Sequence, residues 1–145
     1  MFKYQISLVF LITCSLLIAQ SNTEVFVMDL EFSKNGFNIE NFKNVSKNPE
    51  YDNQPFFIDN EQIVYARTYD NLTDIAKYHL KNESLINISE TKIGGEYSPQ
   101  KTPNNDYYAA VRLDTTGLQR LYKYNSNPKQ SSLFIENLQV AYYCF

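Results

Sequence analysis

The chain has one histidine, His79, and this limits the chemistry that its side chains can support. A zinc site needs three or four histidine, cysteine or carboxylate ligands, and the sequence has neither a second histidine nor a Cys-x-x-Cys pair. Serine-histidine-aspartate catalysis would also have to use His79, but no Gly-x-Ser-x-Gly segment is present to expose a serine nucleophile. The sequence therefore predicts no metal, no cofactor and no catalytic centre in these 145 residues.

Acidic residues recur where strands are predicted to end, and paired carboxylates could act as a general acid and base. We expect these acids instead to accept hydrogen bonds from the backbone of their own turns, as turn aspartates commonly do. Calcium is a further candidate ligand for the segment 70–74, but this segment lacks the glycine and the terminal glutamate of a helix-loop-helix calcium loop. The acids concerned are Asp52, Asp59, Asp70, Asp74, Asp106 and Asp114.

Arg67 and Arg112 end two similar apolar segments and are 45 residues apart in the sequence. Two arginines at equivalent places on the rim of a repeated structure could bind a carboxylate ligand. The alternative is that they cap turn carbonyls and neutralise neighbouring aspartates, and this is the role that we expect for them.

The segments that must position these residues are short, rich in β-branched and aromatic residues, and separated by turn residues, which indicates an all-β protein. Asn35-Gly36 and Asp70-Asn71 are predicted turns because their residue types tolerate positive φ. The segment 62–67 is apolar on both faces, which predicts an inner strand. The predicted strands are 25–30, 53–58, 62–67, 73–80, 85–88, 97–101, 106–113, 118–124 and 133–135, with a further strand beginning in 138–145.

The strand pattern repeats with a period of about 40–45 residues, which is typical of the blades of a β-propeller. Each unit contains four strands with connections of hairpin length, the pattern of an up-and-down blade. The matching segments are Thr23–Leu30 with Thr73–Leu80, Asn44-Val45-Ser46 with Asn87-Ile88-Ser89, and Gln54-Pro55 with Ser98-Pro99.

The first unit contains Asn53-Gln54-Pro55-Phe56-Phe57, the turn Asp59-Asn60 and the strand Ile63-Val64-Tyr65-Ala66. These motifs resemble a blade of the TolB-like, WD-repeat-related β-propellers. In the second unit, the segments Gly94–Pro99 and Gly117–Tyr122 are similar in particular to exported, Bacteroidetes-type members. The second unit matches through Ser98-Pro99 and Tyr108-Ala109-Ala110, but it has Gln119-Arg120 where the family has an acid. The resemblance implies antiparallel four-stranded blades in repeat units at about 44–86 and 87–135.

Residues 1–19 have the pattern of a cleavable secretory signal peptide, with Lys3 followed by an apolar run from Ile6 to Ala19. This run is shorter than the roughly 20 residues of a membrane-spanning helix, although a retained anchor is the alternative. We therefore predict a periplasmic or secreted protein whose single domain covers 20–145. Cys144 would be the only cysteine of the mature chain, so no disulfide within the chain is expected.

The length of the predicted mature chain corresponds to about 2.5–3 blades, whereas closed propellers have about 4–8. The expected architecture is therefore an incomplete ring, and we expect the chain to be part of a longer propeller. A second expectation is self-association through an open edge strand in 141–145, because unpaired aromatic edges invite pairing with another chain.

The function expected from this resemblance is that of a non-enzymatic binding scaffold in the cell envelope. Its partner would be another envelope protein or a peptide; nucleic acid is not expected because no basic cluster is present. The alternative is the substrate-gating propeller of an exported prolyl-peptidase-type hydrolase. Recognition in such proteins usually lies in loops at the ends of the strands. The candidate loop residues are Asp70, Asn71, Thr73, Gly94, Gly95, Glu96, Asp114 and Gly117, and the candidate rim residues are Arg67 and Arg112.

Overall fold

The computed structural model describes residues 22–103, 106–127 and 129–145, and these ranges contain ten β-strands and no helix. The predicted signal peptide, Asn104, Asn105 and Pro128 lie outside the described residues. The strands are β1 (Phe26–Ser33), β2 (Gly36–Asn44), β3 (Asp52–Phe57), β4 (Gln62–Tyr69), β5 (Leu72–His79), β6 (Ser84–Asn87), β7 (Gly95–Lys101), β8 (Tyr108–Leu113), β9 (Gln119–Ser126) and β10 (Lys129–Leu133).

The strands form three antiparallel sheets in which each strand pairs with its neighbours in the sequence. Strands β1 and β2 form a two-stranded N-terminal hairpin. The first sheet has the order β3-β4-β5-β6, and the second sheet has the order β7-β8-β9-β10. The predicted all-β class is confirmed, and none of these sheets closes on itself.

Strand β4 is buried on both faces, as its sequence predicts: the exposed fractions of Ile63, Val64, Tyr65 and Ala66 are all 1% or less. Its alternate residues belong to two different cores because successive side chains of a strand point to opposite faces. Ile63 and Tyr65 pack with buried residues that flank the hairpin strands, and Val64 packs with residues of the second sheet. At β4 the second sheet therefore covers one face of the first sheet and the base of the hairpin covers the other, while the hairpin strands themselves are mostly exposed.

A proline lies at a β-bulge in the first strand of each four-stranded sheet, Pro55 in β3 and Pro99 in β7. The strand register shifts after Asn53 in β3 and after Tyr97 in β7. The residue before each proline has a positive φ, 55° at Gln54 and 53° at Ser98. The two bulges contact each other, since the Ser98 N–H donates a hydrogen bond of 2.7 Å to Gln54 Oε1.

The prediction of a further strand in 138–145 is wrong. This segment is irregular and lies over the second sheet, where the Val140 N–H donates one hydrogen bond to Gln119 O. Tyr143 holds it by its side chain, with its hydroxyl 2.7 Å from Ser98 O and 2.6 Å from Ala109 O. The segment is therefore anchored by the side chain of Tyr143, and the edge strand proposed for self-association is not present there.

The last strand of the second sheet also begins earlier than predicted. Strand β10 starts at Lys129, whereas the sequence predicted a strand at 133–135. The residues of β10 are polar and mostly exposed, so they lack the apolar signal of a buried strand. Nothing in the described part of the chain forms a helix with the length and apolarity that crossing a membrane requires.

Candidate functional site

The repeated Asn-x-Ser tripeptides lie at the ends of β2 and β6, the last strands of the hairpin and of the first sheet. Their serines make the same hydrogen bonds in both places. After β6, Ser89 Oγ accepts a hydrogen bond of 2.8 Å from the Ile75 N–H and donates one of 2.8 Å to Asp74 Oδ1. After β2, Ser46 Oγ accepts a hydrogen bond of 3.0 Å from the Val25 N–H and donates one to Glu24. Each serine therefore links a backbone N–H to the side chain of the acidic residue that directly precedes that N–H in the sequence.

The second of these clusters lies between the first and second sheets, and we call it the second junction: Asp74, Ser89, Thr91, Glu96 and Arg112. The Thr91 N–H donates to Asp74 Oδ1 at 2.9 Å, and Arg112 Nη2 donates to Thr91 Oγ1 at 3.2 Å. Arg112 Nε lies 3.0 Å from Glu96 Oε1 in an ion pair. The second junction thus matches its buried carboxylate with a cation.

Burial raises the pKa of the Glu96 carboxyl, and hydrogen bonds from Thr91 and the charge of Arg112 oppose this rise. The Tyr124 hydroxyl donates a further hydrogen bond of 3.2 Å to Glu96 Oε1. The Arg112 guanidinium lies over the ring of Tyr122, 4.3 Å from its centroid, which is a favourable cation–π geometry. Glu96 is therefore part of a buried polar network inside β7, although the sequence placed it in a binding loop.

The corresponding cluster between the hairpin and the first sheet, the first junction, consists of Glu24, Ser46, Asn48 and Asp52. The Asn48 N–H donates to Glu24 Oε2 at 3.4 Å, and Asn48 Nδ2 donates to Asp52 Oδ1 at 3.2 Å. The second oxygen of Asp52, Oδ2, is buried and accepts no hydrogen bond from the described part of the chain. Burial raises the pKa of Asp52 to about 6, and the Asn48 amide and the charge of Arg67 act in the opposite direction.

The two arginines singled out by the sequence have different environments. Arg112 pairs with the buried Glu96 of the adjacent strand, whereas the sequence suggested aspartates and turn carbonyls as its partners, and its side chain is only 16% exposed. Arg67 is the cross-strand neighbour of Asp52 on one side and of Asp74 on the other. Among the described residues, however, Arg67 forms no ion pair with a carboxylate, and it lines a surface groove.

This groove has a volume of about 670 Å³ and lies between the β4–β5 turn and the segment that joins β6 to β7. Tyr69, Leu72 and Leu85 give it a partly apolar surface. Two of its acids are already engaged, since Asp74 accepts hydrogen bonds within the second junction and Glu90 pairs with Lys129. The complete lining is Arg67, Tyr69, Asp70, Leu72, Asp74, Leu85, Asn87, Glu90, Thr91 and Lys92.

The predicted loop at 70–73 contributes only partly to the groove. Asp70 and Asn71 form the β4–β5 turn with positive φ values of 52° and 62°, as their residue types predict. The Glu50 carboxylate accepts hydrogen bonds from both of their N–H groups. Asp70 lines the groove, whereas Thr73 is buried in β5 with its Oγ1 2.9 Å from Thr68 Oγ1.

The remaining predicted loop residues stabilise turns and close approaches of the backbone, and they do not line the groove. At Gly94, φ is 86°, and a Cβ there would lie 2.3 Å from Leu113 O, so only glycine fits. Asp114 accepts hydrogen bonds from the N–H groups of Thr116 and Leu118, and these hydrogen bonds contribute to a lowered pKa. Gly95 begins β7, and Gly117 lies in the β8–β9 turn with φ 84°.

Sequence reasoning did not single out the apolar wall of the groove, Leu72 and Leu85, because exposed leucines in strands carry no distinctive signal. It also gave no role to Asn48, although Asn48 and Thr91 each lie two residues after a repeated Asn-x-Ser tripeptide. That constant offset was a usable signal, since both residues donate their N–H to the acid of their junction.

Comparison with known proteins adds no identification to this geometry: no family model matches the chain, and no curated protein matches it significantly. Within residues 22–103, 106–127 and 129–145, the structure brings together no group of three or more histidine, cysteine or carboxylate side chains that could hold a metal ion.

Proposed function

We propose that the two four-stranded sheets are consecutive blades of a TolB-like β-propeller and that the protein is a non-enzymatic binding scaffold of the cell envelope. The observation that carries the proposal is the recurrence of the same junction. An acid, a serine and a backbone amide make the same contacts before the first sheet and before the second. A repeated contact between successive layers is what stacking of equivalent repeat units produces.

The groove beside the β4–β5 turn is the proposed binding site, and an extended segment of a protein partner is the proposed ligand. Its surface combines Leu72 and Leu85 with charged groups, Arg67, Lys92 and Asp70, that form no ion pair among the described residues. A peptide can place apolar side chains on the leucines and its own charges opposite these groups. Because strands flank the groove, the protein loses little conformational entropy when the peptide binds.

The test is a selection of displayed random peptides against the purified full chain, followed by binding measurements with two tyrosine variants. Tyr69 lines the groove and is 71% exposed, so Tyr69→Ala removes contact surface with little effect on folding. Tyr142 is 85% exposed and does not line the groove, so Tyr142→Ala is the matched control. We expect Tyr69→Ala to weaken the selected peptides at least about tenfold, as loss of an aromatic anchor does.

Two results would count against this site. The selection could return no peptide that binds the folded protein, or the selected peptides could bind the Tyr69→Ala and Tyr142→Ala variants equally well. The second result would place binding elsewhere on the surface and leave the scaffold role itself intact.

A further inference from the structure

A second pocket lies at the first junction and is separate from the groove. It has a volume of about 510 Å³ and is bounded by the start of the chain's described part, by β2 and by the bulge of β3. Two acids, Glu24 and Asp52, line it together with Thr23. The stacked rings of Phe26 and Phe42, with centroids 4.6 Å apart, lie on its apolar side.

Asp52 is the decisive residue of this pocket. It is only 1% exposed, yet its Oδ2 oxygen accepts no hydrogen bond from the residues that the structure describes. Thr23 Oγ1, in the same pocket, is also buried and has no hydrogen-bond partner within those residues. A buried carboxylate oxygen is normally hydrogen-bonded, because leaving it unpaired sacrifices its hydration without compensation.

The second junction shows which kind of group donates a hydrogen bond to a buried carboxylate at the equivalent position. Glu96 occupies in β7 the place that Asp52 occupies in β3, since each precedes a bulge and faces an arginine on the next strand. In the second junction the guanidinium of Arg112 donates to Glu96 and lies over an aromatic ring. In the first junction Arg67 forms no ion pair, and the aromatic rings belong instead to the open pocket.

We infer that the first-junction pocket binds a guanidinium group on an aliphatic stem, with the guanidinium donating to Asp52 and the stem lying against Phe26 and Phe42. Glu24 adds a second negative charge at the pocket, and its carboxylate already accepts hydrogen bonds from Ser46 and Asn48. A guanidinium carries several N–H donors in a fixed planar fork. It can therefore donate to the Asp52 carboxylate and to a neighbouring acceptor in the pocket, such as Thr23 Oγ1, at the same time. The ligand is either a free alkylguanidine or the arginine side chain of a peptide.

The test is a titration of the full chain with n-butylguanidinium and with the neutral, similarly shaped n-butylurea, followed by two-dimensional NMR. We expect butylguanidinium to bind at least about tenfold more tightly than butylurea, because a charge-assisted hydrogen bond to a buried carboxylate is lost with the urea. Shifts of the amide signals of Val25, Asp52 and Asn53 should report the binding. A blocked tripeptide with a central arginine, tested in parallel, distinguishes a peptide side chain from a free alkylguanidine by which of the two binds more tightly.

Two variants locate the binding. Asp52→Asn should reduce the affinity for butylguanidinium at least about tenfold. Asp70→Asn removes an acid from the groove and should leave the affinity unchanged. Equal binding of butylguanidinium and butylurea, no binding of either, or loss of binding in Asp70→Asn instead of Asp52→Asn would each overturn the inference.

The pH profile gives an independent readout because a guanidinium stays charged throughout the range concerned. Binding should weaken as Asp52 becomes protonated, below about pH 6. The charged and polar groups that face Asp52 are Glu24 from the N-terminal segment, Arg67 from β4, and Ser46 and Asn48 from the segment after β2. A profile that stays flat down to about pH 4.5, close to the ordinary pKa of a glutamate side chain, would show that Asp52 is not the acceptor.

Discussion

The first and second junctions use similar residues in the same order along the chain, but they differ in how the buried acid is paired. In the second junction Arg112 donates to Glu96 at 3.0 Å and the network is closed. In the first junction the Asn48 amide donates to one oxygen of Asp52, and Arg67 is left at the edge of a groove. The comparison shows that one repeated framework can pair the buried carboxylate of one polar cluster with a cation and leave an oxygen of the other unpaired among the described residues.

The largest difference between the junctions is expected on removal of their arginines. Arg112→Met leaves Glu96 buried without its cation, and this should lower the free energy of unfolding by about 3–5 kcal/mol. Arg67→Met removes no ion pair seen in the described residues, and it should cost less than about 1 kcal/mol. Urea unfolding of both variants at neutral pH measures the two values. Equal costs would mean that the arginines have the same role.

A second contrast concerns the acids and the pH. The pKa of Asp52 rises on folding from 3.8 to about 6, so the folded protein holds this proton more tightly than the unfolded chain does. The stability that this provides is complete below about pH 4 and is lost as the pH rises through about 6. The stability of Asp52→Asn relative to the unaltered protein should therefore increase by on the order of 2 kcal/mol between pH 4 and pH 8.

Glu96→Gln is the matched variant in the second junction. It should destabilise the protein at neutral pH because it removes the charge with which Arg112 pairs. Urea unfolding of both variants across this pH range provides the measurement. A difference between Asp52→Asn and the unaltered protein that does not change with pH would show that the Asp52 carboxyl titrates normally.

The two serines should behave alike, and this sharpens the claim that the junctions are equivalent. Ser46→Ala and Ser89→Ala each leave a buried backbone N–H without its acceptor, at Val25 and Ile75. Each should lower the free energy of unfolding by about 1–2 kcal/mol, the cost of an unsatisfied buried donor. Thermal or urea unfolding measures this, with Ser132→Ala in the exposed strand β10 as a control. A large effect at only one serine would argue against equivalence.

The smallest expected effects are at the two bulges. Ser98→Gly relieves a positive φ of 53° and should stabilise the protein by about 0.5–1 kcal/mol. Gln54→Gly relieves the same strain at Gln54 but removes the Oε1 acceptor of the Ser98 N–H, so it should be neutral or destabilising. Opposite signs in chemical unfolding are the expected outcome, and a gain at both positions would show that the Gln54 hydrogen bond contributes little.

The sequence was sufficient to predict most strands because alternation, apolar runs and turn residues act locally. It placed β4 as a doubly buried strand, and it located the turn at Asp70-Asn71. It failed at 138–145, where aromatic residues suggested a strand but Tyr143 anchors an irregular segment by its side chain. Local pattern does not distinguish these cases, because whether a backbone finds a partner strand depends on the rest of the fold.

The candidate site was less predictable than the fold, for the same physical reason. Arg67 and Arg112 look equivalent in the sequence, and only the three-dimensional contacts show that one is paired and the other is not. Glu96 was predicted to lie in a loop, but it belongs to β7, where it is the cross-strand neighbour of Arg112 and is fully buried. The repeated offsets after Asn44 and Asn87 were visible in the sequence, whereas their hydrogen-bonding partners were not.

A pair of double-mutant cycles measures the difference between the junctions most directly. One cycle combines Glu96→Gln with Arg112→Met, and the other combines Asp52→Asn with Arg67→Met, with urea unfolding at neutral pH for every variant. A closed second junction and an open first junction predict a coupling energy of about 2 kcal/mol for Glu96 and Arg112, and less than about 1 kcal/mol for Asp52 and Arg67. Equal coupling energies in the two cycles would contradict this difference.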